Sequence, residues 1–417
     1  MPAVSRERLK EKIDRFKTFG RTGRGGISRL SLSPPALEAR AEFCRRCRAL
    51  GLDVTTDDLA NIYATRGGTE ALPRIVTGSH LDSVVRGGCH DGTLGVLAAL
   101  EVVETLVGEG VPTRHPLTVM VWTNEEGVRF PPAMMSSGVL AGKFGKEAVL
   151  AVRDADGVSF AEALRLSGYQ GEERNRLNPR DCLAYLELHI EQGPVLHDAG
   201  ETVGVVLGVA GMCNYTITVS GQANHAGATP MGKRRDALFA ASRLICRLHE
   251  ELAGLDESLV FTFGRIDCFP NLHTIVPGEV SFSLDARHQD RLVLRRVVEA
   301  IKSLPPEIES CAVRHEEAWA REPTAFAPEL VEYVRKNADA LGYPNRDMYS
   351  GAGHDAQYAQ DMLPSAMIFV PSINGLSHCE EESTNLDDCW KGANVLLNTI
   401  LDVDGSGVER FTSEPVA

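Results

Sequence analysis

RIVTGSHLDSVVRGGCHDG, Arg74 to Gly92, is the stretch on which the reading of this chain turns. Arg74–Thr77 begins a run with the look of a buried strand. It opens into a glycine-rich turn holding His80, Asp82 and Asp91. LGVLAALEVVETLV, Leu94 to Val107, follows and is too apolar all round for a surface helix. Strand, turn and buried helix in this order predict one unit of a parallel α/β sheet. A metal needs nitrogen or carboxylate ligands converging on one point, and loops beyond strand carboxyl ends can supply them.

The same alternation extends outward. Leu9, Ile13 and Phe16 fall at helical spacing, and a second helix is expected over Pro35–Leu50. Strands are expected at Asp53–Asp57, Asn61–Thr65, Leu117–Thr123, Leu183–Ile190 and Ala366–Val370. Near Ala210-Gly211 the character changes. Asn214–Ser220 and Glu279–Arg287 alternate polar and apolar with period two, and helices are expected at Asp236–Leu252 and Asp290–Leu304. With extended runs at Leu259–Asp267 and Cys311–Glu317, the order β-α-β-β-α-β is that of a ferredoxin-like sandwich. The expectation is therefore an α/β fold in two domains. A mixed, mostly parallel catalytic sheet spans 1–211 and 329–417, and an α+β domain is inserted at 212–328.

Five segments place acids or histidines just past a predicted strand: His80, Asp82 and Asp91; Asn124-Glu125-Glu126-Gly127; His189-Ile190-Glu191-Gln192-Gly193; SGAGHDA at 350–356; and Ser377-His378-Cys379-Glu380. An isolated histidine at a strand end is more often a satisfied polar residue than a ligand. Four companions at equivalent positions reverse that weighting, because strand ends gather over one crevice. Two adjacent acids usually mark a solvated turn, but Glu125-Glu126 directly follow an apolar strand. A bimetallic hydrolase needs a bridging carboxylate, terminal ligands on each ion and a base not wholly committed to metal. Adjacent glutamates can divide the last two tasks. Asp82, two residues from His80, is placed to receive the ring's second N–H and orient it.

Bulk properties restrict partners. At 417 residues the chain exceeds one comfortable core. A formal net charge of −14 argues against nucleic acid or an acidic membrane surface. The N-terminal MPAVSRERLKEKIDRF is a charged amphipathic helix with no apolar signal region, and no run suits a membrane helix. Ten scattered cysteines fit reduced thiols in a cytoplasm. Cys44 and Cys47 have C-x-x-C spacing but lie inside an expected helix, with no second pair to complete a zinc site.

The ordered motifs GSHLDSV…GG..DG, NEEG, HIEQG, SGAGHDA and SHCEEE resemble the amidase branch of the M20 metallopeptidase-like hydrolases. That branch holds N-carbamoyl-L-amino-acid hydrolases, allantoate amidohydrolases and β-ureidopropionases. The resemblance spans nearly the whole chain. It implies His80 and His189 on one ion, Glu126 and His378 on the other, Asp91 bridging, Glu125 as general base and Asp82 as orienter of His80. HIEQGP favours ureido substrates over the peptides of a peptidase or aminoacylase, because other branches commonly carry an acid where His189 stands. Gln192, Gly353 and His354 are implied as substrate contacts. In the inserted domain, His225 of GQANHAGATPM and Arg287 of DARH complete the set, Arg287 clamping a carboxylate.

Two positions depart from the family pattern. His90 stands where an aromatic residue usually precedes the bridging aspartate. His273 stands where many relatives have a substrate-contacting asparagine. The expected activity is hydrolysis of N-carbamoyl-L-amino acids, with allantoate as the alternative substrate. The resemblance also implies two divalent ions per subunit and a homodimer formed through the inserted domain. A mixed His/carboxylate set accepts zinc, manganese, cobalt or nickel.

Overall fold

The structure is a computed structural model and describes residues 2–407 and 411. The chain divides into two compact units, Met1–Gly208 with Ala325–Ala417, and Val209–Thr324.

The first unit is built on a nine-stranded sheet. Its strands include β1 (Asp53–Thr56), β2 (Ile62–Arg66), β3 (Arg74–His80), β4 (Leu117–Trp122), β5 (Cys182–Ile190) and β6 (Val203–Val209). Late in the chain, Asn345–Ser350 pairs with β6, and Ser365–Val370 lies between β5 and β6. The four central strands, β4, β3, β5 and Ser365–Val370, run parallel. The β1, β2 and β6 flanks pair antiparallel. Parallel strands covered on both faces are apolar throughout rather than alternating. LTVMVW and SAMIFV accordingly bury every residue.

Helix α1 (Arg6–Phe16) carries Leu9, Ile13 and Phe16 on its buried side, as the spacing predicts. Helix α2 (Pro34–Ala49) holds both Cys44 and Cys47 in its buried face. All ten cysteines are free. Burial raises both thiols of the C-x-x-C pair above the ordinary cysteine range, which makes them poor nucleophiles. Helix α3 (Thr93–Gly108) is buried almost all round and packs on β3 and on the long helix Leu386–Gly405. No helix among the described residues is long and apolar enough to cross a membrane.

The second unit is a six-stranded antiparallel sheet with the helices Ala237–Ala253 and Arg291–Lys302 packed against it. Its central strand, Gly211–Ser220, alternates buried and half-buried along its whole length. One face therefore meets the helices, which are amphipathic, while the other stays more open. The extended run at Leu259–Asp267 is two strands, Val260–Thr262 and Ile266–Phe269.

Candidate metal centre and active site

Parallel strands that end together bring distant residues over one crevice. His80 is the last residue of β3, His189 the penultimate residue of β5, and Asn124-Glu125-Glu126 follow β4. His378 lies past Ser365–Val370. The structure gathers the other four expected ligands, His80, His189, Glu126 and His378, around Asp91. His80, Asp91 and His189 form one group whose ligand atoms lie within 4.8 Å of one another, and Asp91, Glu126 and His378 form a second.

Asp91 divides its carboxylate between them. Oδ1 is 3.2 Å from His189 Nε2 and 3.6 Å from His80 Nε2. Oδ2 is 3.3 Å from His378 Nε2. His378 Nε2 is in turn 3.5 Å from Glu126 Oε2. Asp91 immediately precedes Gly92, the N-cap of α3, where the helix dipole favours an anion. Gly92 has φ 60°, and a Cβ there would stand 2.2 Å from His80 Nε2. The site needs glycine both for the left-handed turn and for the space.

The tautomers of the two buried histidines follow from their partners. Nδ1 of His80 faces the main-chain carbonyl of Asp82 at 2.9 Å, and Nδ1 of His189 faces that of Ile190 at 2.9 Å. A carbonyl only accepts, so each Nδ1 carries the proton. In the neutral ring this leaves Nε2 with a lone pair turned toward carboxylate oxygens. That donor set fits a cation. A second observation agrees: Gln192 donates Nε2–H to Asp91 Oδ2 at 2.8 Å, while its buried Oε1 has no hydrogen-bond partner among the described residues.

Electrostatics point the same way. Burial alone would lower the pKa of His80, but Glu125, Asp91 and Asp82 outweigh it and hold that pKa well above the usual histidine value. Glu125 is raised well above the carboxylate range, first by burial. Glu126 is raised to about 8, by burial and then by Asp91. A pocket that crowds acids in this way favours positive charge.

Asp82 departs from expectation in its mode of action. Its Oδ1 is 4.0 Å from His80 Nδ1, too far for a hydrogen bond; the main-chain carbonyl orients the ring instead. The carboxylate accepts the main-chain N–H of Glu125 at 3.4 Å and of Glu126 at 3.2 Å. It thus ties the β3 turn to the β4 turn. Glu125 Oε2 comes 3.5 Å from His80 Nε2.

Gly353 and His354 lead into helix Asp355–Gln360. His354 is buried, its ring 4.5 Å from that of His189, edge to face, and 2.9 Å from Ser350 Oγ. It props His189 from behind. His90 is half-buried, beside Cys89 Sγ at 3.6 Å. Its pKa is lowered to about 4 by burial and then by Lys17. In the second unit, His225 is exposed and accepts the N–H of Gly227 and Ala228 on Nδ1, at 3.0 and 3.1 Å. Arg287 pairs with Asp285 at 2.8 Å, and His273 is exposed.

Several supporting residues escape sequence reasoning. Glu382 accepts the N–H of Asp91 at 3.1 Å and of His90 at 3.2 Å, and Ser377 bonds its other oxygen at 3.1 Å. Glu187 is buried, bonded to Ser79 and Tyr185. It also lies with His189 and His354 in a third His/carboxylate group. The third acid of SHCEEE was the available signal for Glu382. A glutamate inside the apolar LAYLELHI was the signal for Glu187.

An α/β sheet whose strand ends hold two His/carboxylate groups around one shared aspartate defines a protein with a candidate two-metal centre. The chain belongs to peptidase family M20/M25/M40, whose family model matches residues 74–402. It is 37% identical to the allantoate amidohydrolase of Escherichia coli (strain K12), over 94% of this chain and 96% of that protein. It is 38% identical to the N-carbamoyl-L-amino acid amidohydrolase of Geobacillus stearothermophilus, over 95% and 98% respectively. Among solved structures, a hydantoinase/carbamoylase family amidase from Burkholderia multivorans matches with a TM-score of 0.91 and 38% identity, covering 99% of both chains.

Proposed function

We propose that the protein is a metal-dependent amidohydrolase that removes the carbamoyl group of N-carbamoyl-L-amino acids, releasing the amino acid, carbon dioxide and ammonia. One observation carries the reading: the Asp91 carboxylate faces one donor group with each oxygen, next to a buried glutamate, Glu125, that belongs to neither group. His80 and His189 would hold one divalent ion, Glu126 and His378 the other, with Asp91 shared. Bound ions of this kind supply Lewis acidity and bring the pKa of water toward neutrality.

The chain's own groups do the rest. Glu125 accepts the proton of the attacking water and delivers it to the departing nitrogen, a role suited to a buried glutamate that belongs to neither donor group. Asp82 fixes the Glu125 main chain, so the base is aimed before substrate arrives. Gln192 is anchored through its amide nitrogen and presents Oε1 to a ureido N–H. Arg287 would clamp the substrate carboxylate, His225, reaching across the dimer interface, would stabilise the developing oxyanion, and His273 would serve as a further polar donor to the substrate.

Assembly is proposed as a homodimer through the inserted unit. Leu238, Phe239, Val260, Ile266 and Phe269 are exposed on its first helix and edge strands, an apolar surface suited to a second copy. The free thiols agree with a cytoplasmic protein.

Relatives named for allantoate and for N-carbamoyl-L-amino acids match with similar identity, so the deciding experiment is a substrate panel. Apo-protein reconstituted with zinc, manganese, cobalt or nickel is given N-carbamoyl-L-amino acids, allantoate, N-acyl amino acids and dipeptides. Ammonia release from the N-carbamoyl compounds at the highest kcat/KM is expected. Faster turnover of allantoate or of a dipeptide would overturn the assignment.

A further inference from the structure

Two arginines lie wholly inside the first unit, Arg29 and Arg40. Arg29 grips the β3 turn. Nε donates to the Leu81 carbonyl at 2.5 Å, and its main chain exchanges hydrogen bonds with Ser83 Oγ and Ser83 N at 2.9 and 3.0 Å. Its Nη2 reaches Thr93 Oγ1, two residues beyond Asp91, and Nη1 reaches the Phe16 carbonyl at 2.9 Å. Arg40 grips the other turn. Its Nη2 donates to Thr123 Oγ1 at 2.7 Å, two residues before Glu125, and its Nη1 to the Ala60 carbonyl at 2.7 Å.

Every one of these acceptors is neutral. Among the described residues neither guanidinium forms an ion pair with a carboxylate. Lys12 shows the contrast: equally buried, it is paired with Glu101 and Glu104. A buried cation without a contact partner is costly unless a nearby negative field offsets it. Burial lowers the pKa of both guanidinium groups, and Asp82 comes first among the charges that oppose it. Asp82 is itself the carboxylate that links the two turns, through the N–H groups of Glu125 and Glu126.

We propose that Arg29 and Arg40 are positioning residues of the metal centre, Arg29 holding the His80–Asp91 turn and Arg40 holding the Glu125–Glu126 turn. The charges are tolerated because they offset one of the crowded acids, and the fork of each guanidinium spans two segments that a single amide cannot span. Neither arginine touches the reacting atoms.

The proposal rests on the two-metal reading, and its test separates the two. The full chain and its Arg29→Gln, Arg29→Lys, Arg40→Gln and Lys12→Gln variants are loaded with cobalt(II). Ion loss to a coloured chelator, the visible cobalt spectrum and the melting temperature are recorded. The Arg→Gln variants are expected to lose ion about 10- to 100-fold faster, as when other outer partners of ligands are removed, with a shifted spectrum. Arg29→Lys should recover part of the loss, and Lys12→Gln should lower the melting temperature while leaving ion loss and spectrum at wild-type values. Should an arginine variant fail to fold, Thr93→Val and Thr123→Val each cut one grip with the charge retained, and each should shift the spectrum. Wild-type ion loss and spectrum in both arginine variants, or in both threonine variants, would overturn the proposal. A wild-type chain that takes up no cobalt would instead overturn the metal reading itself.

Discussion

Asp91 Oδ1 lies 3.2 Å from His189 Nε2, while the other oxygen of the same carboxylate faces the opposite donor group. Among the described residues no other belongs to both groups around the centre. Asp91→Asn should therefore damage both ions together. Bound divalent metal should fall from two per chain to one or none, and kcat/KM should drop by roughly a thousandfold or more, the scale of several kcal/mol of lost transition-state stabilisation. Elemental analysis beside steady-state kinetics checks this. Two ions retained with near-normal turnover would remove Asp91 from the centre.

Glu125 and Glu126 are neighbours with separate tasks. Glu125→Gln keeps the size and the main-chain contacts to Asp82 but cannot take a proton. Its kcat should fall by about 10²- to 10⁴-fold, the usual scale of a general base, with ion content unchanged. Glu126→Gln should weaken one ion instead. Identical metal content and identical rate loss in the two variants would contradict this division.

Gly92, whose N–H donates to His189 Nε2 at 3.1 Å, tests the geometry without altering a ligand side chain. Alanine there must adopt a positive-φ backbone outside the favoured wells, at about 1–3 kcal/mol, and places Cβ 2.2 Å from His80 Nε2. His80 must turn away. Gly92→Ala is expected to fold, with a slightly lower melting temperature and much weaker ion binding. Isothermal titration with manganese is the direct readout, and wild-type affinity would show that the ring is not where the structure puts it.

Away from the site, Glu42 offers a pH prediction. Hydrogen bonds from Arg45 and Arg46 pull its pKa to about 2, below the roughly 4.3 of a free glutamate. A folded pKa that is depressed adds stability above the unfolded value, and that stability is lost as pH falls from about 4.3 toward 2. Glu42→Gln should cost about 1 kcal/mol at pH 7, since Arg45 is largely exposed. Urea midpoints of variant and wild type should converge as the solution is acidified through that window. A gap independent of pH would contradict the assignment.

What could be read beforehand followed one physical rule. β3, β4 and β5 are buried on both faces and carry apolar stretches, and the histidines and acids at or just past their carboxyl ends are the ones facing the crevice. His80, Glu125 and His189 were visible for that reason. β6 was not, because VGVVLGVAGMCNYTITVS, 203–220, is one extended run that leaves the nine-stranded sheet and joins the six-stranded one at Ala210. Only pairing partners reveal that division. Asn345–Ser350 is too polar to look like a strand, and it gains its place by pairing with β6. Arg29 and Arg40 were hidden for a related reason: their acceptors, Leu81, Thr93, Ala60 and Thr123, lie 20 to 83 positions away, and local pattern says nothing about them. Asp82 was found as a residue that orients, but the group that bonds the His80 ring is its main-chain carbonyl.

On the proposed function, two ions around Asp91 make this chain a ureido-cleaving hydrolase. Its most direct test is a titration of the metal-free protein with manganese or zinc, following bound metal and ammonia release from an N-carbamoyl-L-amino acid in the same samples. Activity is expected to be absent without metal and to reach its maximum at two ions per chain. Full activity in the metal-free protein, or no release at two bound ions with any N-carbamoyl-L-amino acid, would contradict the account.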